Sequence, residues 1–222
     1  MFLWVPMRQS HQEHKGLAGR HGFPAPVSND RGLWSSCSEI GRERTIVVAR
    51  PLGAVEWDMI RAFIGKTDRD DLRMRFGQWL DFHSEPILKR FFDIDGNSGE
   101  LLWALDENGE IAGILHRVLI PPGDAEIGLI VRSDLKRTGI GETLLRTALA
   151  RALRQNLKTL RAVVLGENLA MLRLARKIGA APRPSAGLSL ELEFELSRIP
   201  AGAMMAPPAD AVTTNPPTST RY

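Results

Sequence analysis

The stretch LKRTGIGETLL, residues 135–145, sets two glycines in a G-x-G spacing among basic residues, just ahead of a helix-like run. A strand, a basic turn and a glycine pair that opens a helix leave backbone N–H groups free at the positive end of the helix dipole. That setting suits a pyrophosphate. Two common phosphate motifs do not fit. A dinucleotide fingerprint needs a third glycine, and three positions after Gly141 stands Leu144. A P-loop needs Lys and then Ser or Thr after its last glycine, where this chain has Glu142 and Thr143. One strand upstream, Glu126 is a carboxylate whose plain reading is a solvent-facing strand residue.

Other reactive-looking residues carry less. DIDGNSGELLWA (93–104) opens like a calcium loop, but Ser98 stands where glycine is required and Ala104 where the bidentate glutamate belongs, so a turn is expected. His116, on a strand, reads as a packed or hydrogen-bonded histidine. His11, His14 and His21 are irregularly spaced in a polar segment and read as part of a solvated tail. The single cysteine, Cys37, excludes an internal disulfide and a cysteine-based zinc site, and its patternless surroundings argue against a nucleophile. No metal is expected. The aromatics Phe76, Trp79, Phe82, Phe91 and Phe92 read as core and cleft wall rather than as a base-stacking platform.

Length and composition bound the rest. A chain of 222 residues has room for one well-buried domain with extra segments at its ends. Lys plus Arg (29) barely exceed Asp plus Glu (26), which gives no argument for nucleic acid. No apolar run approaches the roughly 18 residues of a membrane span, and MFLWVPMR is a poor signal peptide. A cytoplasmic protein that engages no membrane is the expectation. Residues 1–43 lack periodicity and read as a disordered N-terminal extension, or as a start placed too far upstream. Residues 198–222 read as a disordered Pro/Ala/Thr-rich tail. The domain is expected over 44–197.

Within it the elements alternate. TIVVAR (45–50) predicts a strand, and GAVEWDMIRAFIGK (53–66) and SEPILKRFFDI (84–94) predict helices. ELLWALDE (100–107) and EIAGILHRVLI (110–120) predict strands joined by an Asn108-Gly109 hairpin turn. AEIGLIVR (125–132) is a third strand of this run. A helix over 139–156 buries Ile140, Leu144, Leu145, Ala148, Leu149 and Ala152. LRAVVL (160–165) is a strand, NLAMLRLARKIG (168–179) a helix capped by Asn168 and stopped by Gly179, and LSLELEFEL (188–196) an alternating strand. The sum is a mixed α/β layer structure.

In these surroundings VRSDLKRTGIGETLL resembles the acyl-CoA pyrophosphate loop of the GNAT superfamily of N-acetyltransferases, Q/R-x-x-G-x-G/A, filled here by Lys136, Gly139 and Gly141. ENLAMLRLARKIGA resembles the same superfamily's N-x-x-x-x-x-L-x-x-K-x-G-F/A segment, and the element order agrees. The resemblance implies a mixed central sheet, splayed at the acyl-CoA site, with helices on both faces. It implies acetyl-CoA as co-substrate. Leu129, Ile130 and Val131 would pair with pantetheine, and Arg137, Thr138, Gly139, Ile140, Gly141 and Glu142 would hold the pyrophosphate. Asn168 would line the channel. Glu126 falls at the position the resemblance assigns as general base, and a backbone N–H near Ile130 would meet the oxyanion. The usual tyrosine acid is replaced by Ala175.

A narrower likeness links LRMRFGQWLDFHSEPILKRFFDID (72–95), followed by AEIGLIVRSDL, to the acetyltransferase domain of bacterial protein lysine acetyltransferases. Those enzymes inactivate acyl-CoA synthetases by acetylating a lysine. Many carry a cyclic-nucleotide or synthetase-like domain, for which this chain is too short. An acceptor lysine on a protein, direct transfer in a ternary complex and a monomer or homodimer follow as expectations. A small amine as acceptor, or a non-catalytic acyl-CoA-binding module, are the competing readings.

Overall fold

The computed structural model describes residues 37–39, 42–49, 54–94 and 98–199. The expectations for His11, His14, His21, the Cys37 side chain and nearly all of both terminal segments lie outside these residues. Strands β1 (Cys37–Glu39) and β2 (Arg42–Ala49) come first, so the sheet starts earlier than the expected boundary at 44. Helices α1 (Ala54–Gly65), α2 (Arg69–Phe76) and α3 (Glu85–Phe92) follow. Then come strands β3 (Gly99–Leu105), β4 (Ile111–Ile120) and β5 (Asp124–Val131). Helix α4 (Ile140–Arg154), β6 (Thr159–Leu165), α5 (Leu169–Ile178), β7 (Ala181–Pro184) and β8 (Ser189–Glu195) complete the fold.

The strands form one mixed sheet in the order β1-β2-β3-β4-β5-β6-β8-β7. Its faces bury two separate cores. On one side α4 and α5 cover Leu102, Leu115, Ala125, Ile127, Leu160, Ala162, Leu192 and Phe194. On the other α1, α2 and α3 cover Leu101, Trp103, Ile114 and Ile130, with Phe76, Phe82, Phe91 and Phe92 packed ring to ring. This is the expected α/β architecture. The stripe predicted for α4 is buried throughout. Asn168 Oδ1 accepts from the Met171 N–H at 3.1 Å, and Gly179 ends α5 at φ 100°. Between β3 and β4 the Asp106 carboxylate accepts from the Asn108 and Glu110 N–H groups, and Gly109 takes φ 75° to close the hairpin.

Two further elements differ from expectation. Helix α2 is too short and polar to show a helical stripe, since only Leu72 and Phe76 face the core and Gly77 ends it at φ 72°. Strand β7 reads APRP, exposed along its length. Its prolines are tolerated because it is the edge strand beside β8.

Candidate active site

Strand β5 is paired along its whole length on one side and along only its first residues on the other. With β4 the antiparallel register runs from Ile120↔Asp124 to Gly113↔Val131. With β6 the parallel bridges are Asp124↔Thr159, Ala125↔Leu160 and Glu126↔Arg161. Past that rung, among the described residues, no strand lies against this edge from Ile127 to Val131, while β6 runs on against β8. An unpaired strand edge carries N–H and C=O groups that need partners, so an extended arm with amides of its own could lie along it. Leu129, Ile130 and Val131, the expected pantetheine residues, all sit on this edge.

The chain leaves β5 through a single helical turn, Ser133–Leu135, into the glycine loop. Arg137 at φ 58° and Gly139 at φ 88° are both left-handed. Left-handed residues alternating with ordinary ones curl successive N–H groups toward a common point, a concavity that fits an anion. The first intrahelical bond of α4 runs from the Thr143 N–H to the Gly139 carbonyl at 3.0 Å, so the amides ahead of it face the loop. A Cβ placed on Gly141 would lie 3.5 Å from Leu129 Cδ2 and from Val131 Cγ2. The open end of α4 and the open edge of β5 therefore adjoin, and together they fit a phosphate attached to an extended arm. The Glu142 carboxylate turns away to Arg146 and Lys177, so an anion would meet its backbone N–H only. Helix α2 steadies the entry to this loop. Asp71 accepts from Ser133 Oγ at 2.5 Å and pairs with the Lys136 ammonium, and the Asp68 N–H donates to Ser133 Oγ at 2.8 Å.

A cluster of ionisable side chains lies on the α1–α3 side of the same strand. Positions 126, 128 and 130 of β5 face this side opposite Val118, His116 and Ile114 of β4. Arg75 reaches in from α2. A Cβ on Gly128 would fall 1.6 Å from Arg75 Nη2 and 2.0 Å from Cζ, so the guanidinium lies directly on the glycine backbone. Arg75 Nη2 is 2.9 Å from His116 Nδ1 and 2.5 Å from Nε2. Burial, helped by the Arg75 charge, holds the His116 imidazole well below the usual histidine range, so the ring is neutral and accepts from the guanidinium. Burial lowers Arg75 to about 10, against the pull of Glu126, and leaves it a cation at neutral pH.

Burial pushes the Glu126 carboxyl up to about 7, with Arg75 opposing and Glu191 adding to the rise. Such a carboxyl is half protonated near neutrality and can take or give a proton there. Arg161, its neighbour on β6, reaches Asp124 at 3.2 Å and lies 3.7 and 3.9 Å from Glu191 and Glu193. The open strand edge, the glycine loop and a carboxyl of near-neutral pKa thus occupy one cleft between β5 and β6.

Residues 68–180 match the Acetyltransferase (GNAT) family. The chain belongs to the GNAT family of acetyltransferases. Solved structures share its fold. The GNAT domain of S. lividans PAT is 21% identical, with a TM-score of 0.63, over 78% of this chain and 99% of that one. Spermidine N-acetyltransferase from Vibrio cholerae, solved with CoA and spermine, is 16% identical, with a TM-score of 0.55, over 68% and 96%. Ribosomal-protein-alanine N-acetyltransferase from Brucella melitensis is 19% identical, with a TM-score of 0.51, over 67% and 99%. The protein is an acyltransferase.

The cleft and its surroundings bring together most of the residues expected from sequence. Glu126, Leu129, Ile130 and Val131 share β5, and Arg137 to Glu142 form the loop and first turn of α4. Asn168 spends its side-chain oxygen on the α5 cap. Ala175 is fully buried in the core and offers no proton donor. Trp79 is not core: it is 59% exposed, with Arg69 and Arg73 over its ring. Sequence reasoning missed Arg75 and Asp71, because both lie on the unrecognised helix α2. Gly128 was a usable signal, since a glycine inside an apolar strand marks a close approach.

Proposed function

We propose that this GNAT acetyltransferase transfers an acetyl group from acetyl-CoA to a lysine of a protein substrate, with Glu126 as general base. The observation that carries the reading is the Glu126 carboxyl, raised to about 7 and set where the open edge of β5 begins. Acetyl-CoA supplies the activated acetyl group as a thioester. The pyrophosphate is held by the N–H groups of residues 137–142, and the pantetheine by the free edge of Leu129, Ile130 and Val131.

A lysine ammonium has a pKa near 10.4, so only about one in two thousand is neutral at pH 7. Glu126 accepts one proton from the ammonium, the lysine nitrogen bonds to the acetyl carbon, the carbon–sulfur bond breaks to release the CoA thiolate, and the nitrogen's second proton passes to that thiolate. No covalent enzyme intermediate is required. The thiolate is a fair leaving group without a dedicated acid, with a pKa of roughly 8.5 if cysteine is the guide. This fits a chain with Ala175 in the tyrosine position.

Two features favour a protein acceptor. Segment 72–95 is similar to bacterial protein lysine acetyltransferases. The sheet face beside Glu126 carries Asp124, Glu191 and Glu193, and Val163 there is 43% exposed, so an approaching cation meets an open acidic surface. The same acidity would serve a small polyamine, which is the second reading.

The test is mass spectrometry of an acyl-CoA synthetase incubated with acetyl-CoA and either the wild type or Glu126→Gln. Site-selective lysine acetylation that collapses in the variant is expected. Undiminished acetylation by the variant removes Glu126 from its role. No acetylation by wild type, with CoA binding intact, turns the acceptor reading toward a small amine.

A further inference from the structure

The Arg75 guanidinium lies on a strand glycine, with a neutral histidine as its acceptor. Three chain-distant positions cooperate in this. Arg75 comes from α2, His116 from β4 and Gly128 from β5, and His116 and Gly128 are direct register partners. Gly128 is the enabling residue, because any Cβ there would occupy the space of Arg75 Nη2 and Cζ. Position 126 is the next on the same face of β5, so the cation is delivered beside the Glu126 carboxylate.

We propose that Arg75 is a positioning residue for acetyl transfer: seated on Gly128 and held by His116, it acts as a fixed cation that keeps the Glu126 carboxylate ionised and ready to take the acceptor's proton. The inference rests on the reading of Glu126 as the base.

Charge bookkeeping around Glu126 leaves this task to Arg75. From β8, Glu191 and Glu193 lie on the face of Glu126, and Glu191 disfavours a further negative charge there. Asp124, two residues back on β5, pairs with Arg161. Arg161 of β6 is the other cation nearby, but it is shared among Asp124, Glu191 and Glu193. His116 of β4 is neutral. Arg75 is the cation whose charge pulls the carboxyl back toward ionisation against burial and Glu191. A guanidinium suits this, since it stays charged when desolvated where a lysine would tend to lose its proton.

The experiment is a ¹³C NMR titration of glutamate side-chain carboxyls in the full chain, with the Glu126 signal assigned by its loss in Glu126→Gln. Two variants are compared with wild type. Arg75→Met removes the cation. Gly128→Ala changes no charge and, by filling the seat, displaces the guanidinium at its flexible end. The Glu126 midpoint is expected to rise in both by about one pH unit or more, the shift expected when a nearby opposite charge is lost. Acetylation of the synthetase at pH 7 should fall in step and recover as pH is raised above the new midpoint.

A midpoint that stays at the wild-type value in a folded Gly128→Ala or Arg75→Met overturns the inference. A shifted midpoint with activity lost equally at all pH values also overturns it, because Arg75 would then serve packing alone. The titration needs no acceptor. If wild type fails to acetylate the synthetase, the lysine reading falls while the midpoints still decide whether Arg75 sets the charge on Glu126.

Discussion

Glu126 and Arg161 form the last bridge between β5 and β6, and the cleft begins at the next residue. The carboxylate therefore stands at the vertex of the splay, within the sheet's rigid part, while the open strand edge extends away from it toward the glycine loop. A carboxylate placed there is positioned by a complete strand ladder on its β4 side rather than by a loop.

Transfer should rise with pH through about 7, where Glu126 loses its proton. Glu126→Gln should abolish this acidic limb and lower turnover by roughly 10² to 10⁴, the usual contribution of a placed base. Acetyl-CoA affinity should be unchanged, as read by calorimetric titration. A limb that persists in the variant would assign the titration to another group.

The same substitution should stabilise the fold at high pH. The folded-state pKa of about 7 lies above the ordinary 4.5, so the favourable contribution is complete below pH 4.5 and is lost as pH rises through 7. At pH 8, Glu126→Gln should gain about 1–3 kcal/mol over wild type, and near pH 4 almost nothing. Urea midpoints at the two pH values check this.

Gly139→Ala should weaken acetyl-CoA binding about tenfold, because a Cβ at φ 88° costs on the order of 1–2 kcal/mol and opens the loop. Gly141→Ala should do less. Its new methyl would meet Leu129, Val131 and Leu174 at ordinary contact distances. Equal losses at both positions would contradict the assignment of the anion site to the left-handed turn.

Asp71→Ala should raise the KM for acetyl-CoA with little change in turnover at saturation. It releases Ser133 and Lys136 from α2 and so loosens the entry to the loop. A loss confined to turnover would place Asp71 in the chemistry instead.

A buried network remote from the cleft should dominate stability. Glu100, fully buried, accepts from Arg117 at 2.8 Å and Arg151 at 2.7 Å, and Arg117 also donates to Gln155 at 2.6 Å. Glu100→Ala strands the buried Arg117 charge and should cost about 3–5 kcal/mol by chemical denaturation. Adding Arg117→Met should restore most of that loss.

Sequence by itself determined the layer architecture and the glycine loop. Apolar periodicity placed α4 and α5, β-branched runs placed the main strands, and G-x-G after a strand located the turn whose left-handed residues the structure contains. These signals are local, and a residue's neighbours along the chain suffice to produce them. The length and polarity of α2 gave no such signal, and two prolines in an exposed edge hid β7.

Tertiary structure decided what surrounds Glu126. No local pattern could reveal that Arg75 crosses to Gly128, that His116 receives it, or that Glu191 raises the carboxyl's pKa. Those residues lie on four separate elements, α2, β4, β5 and β8, and only sheet register brings them together. Burial then turned an ordinary strand glutamate into one that titrates near neutrality, because desolvation depends on what packs around a charge and not on what precedes it in the chain.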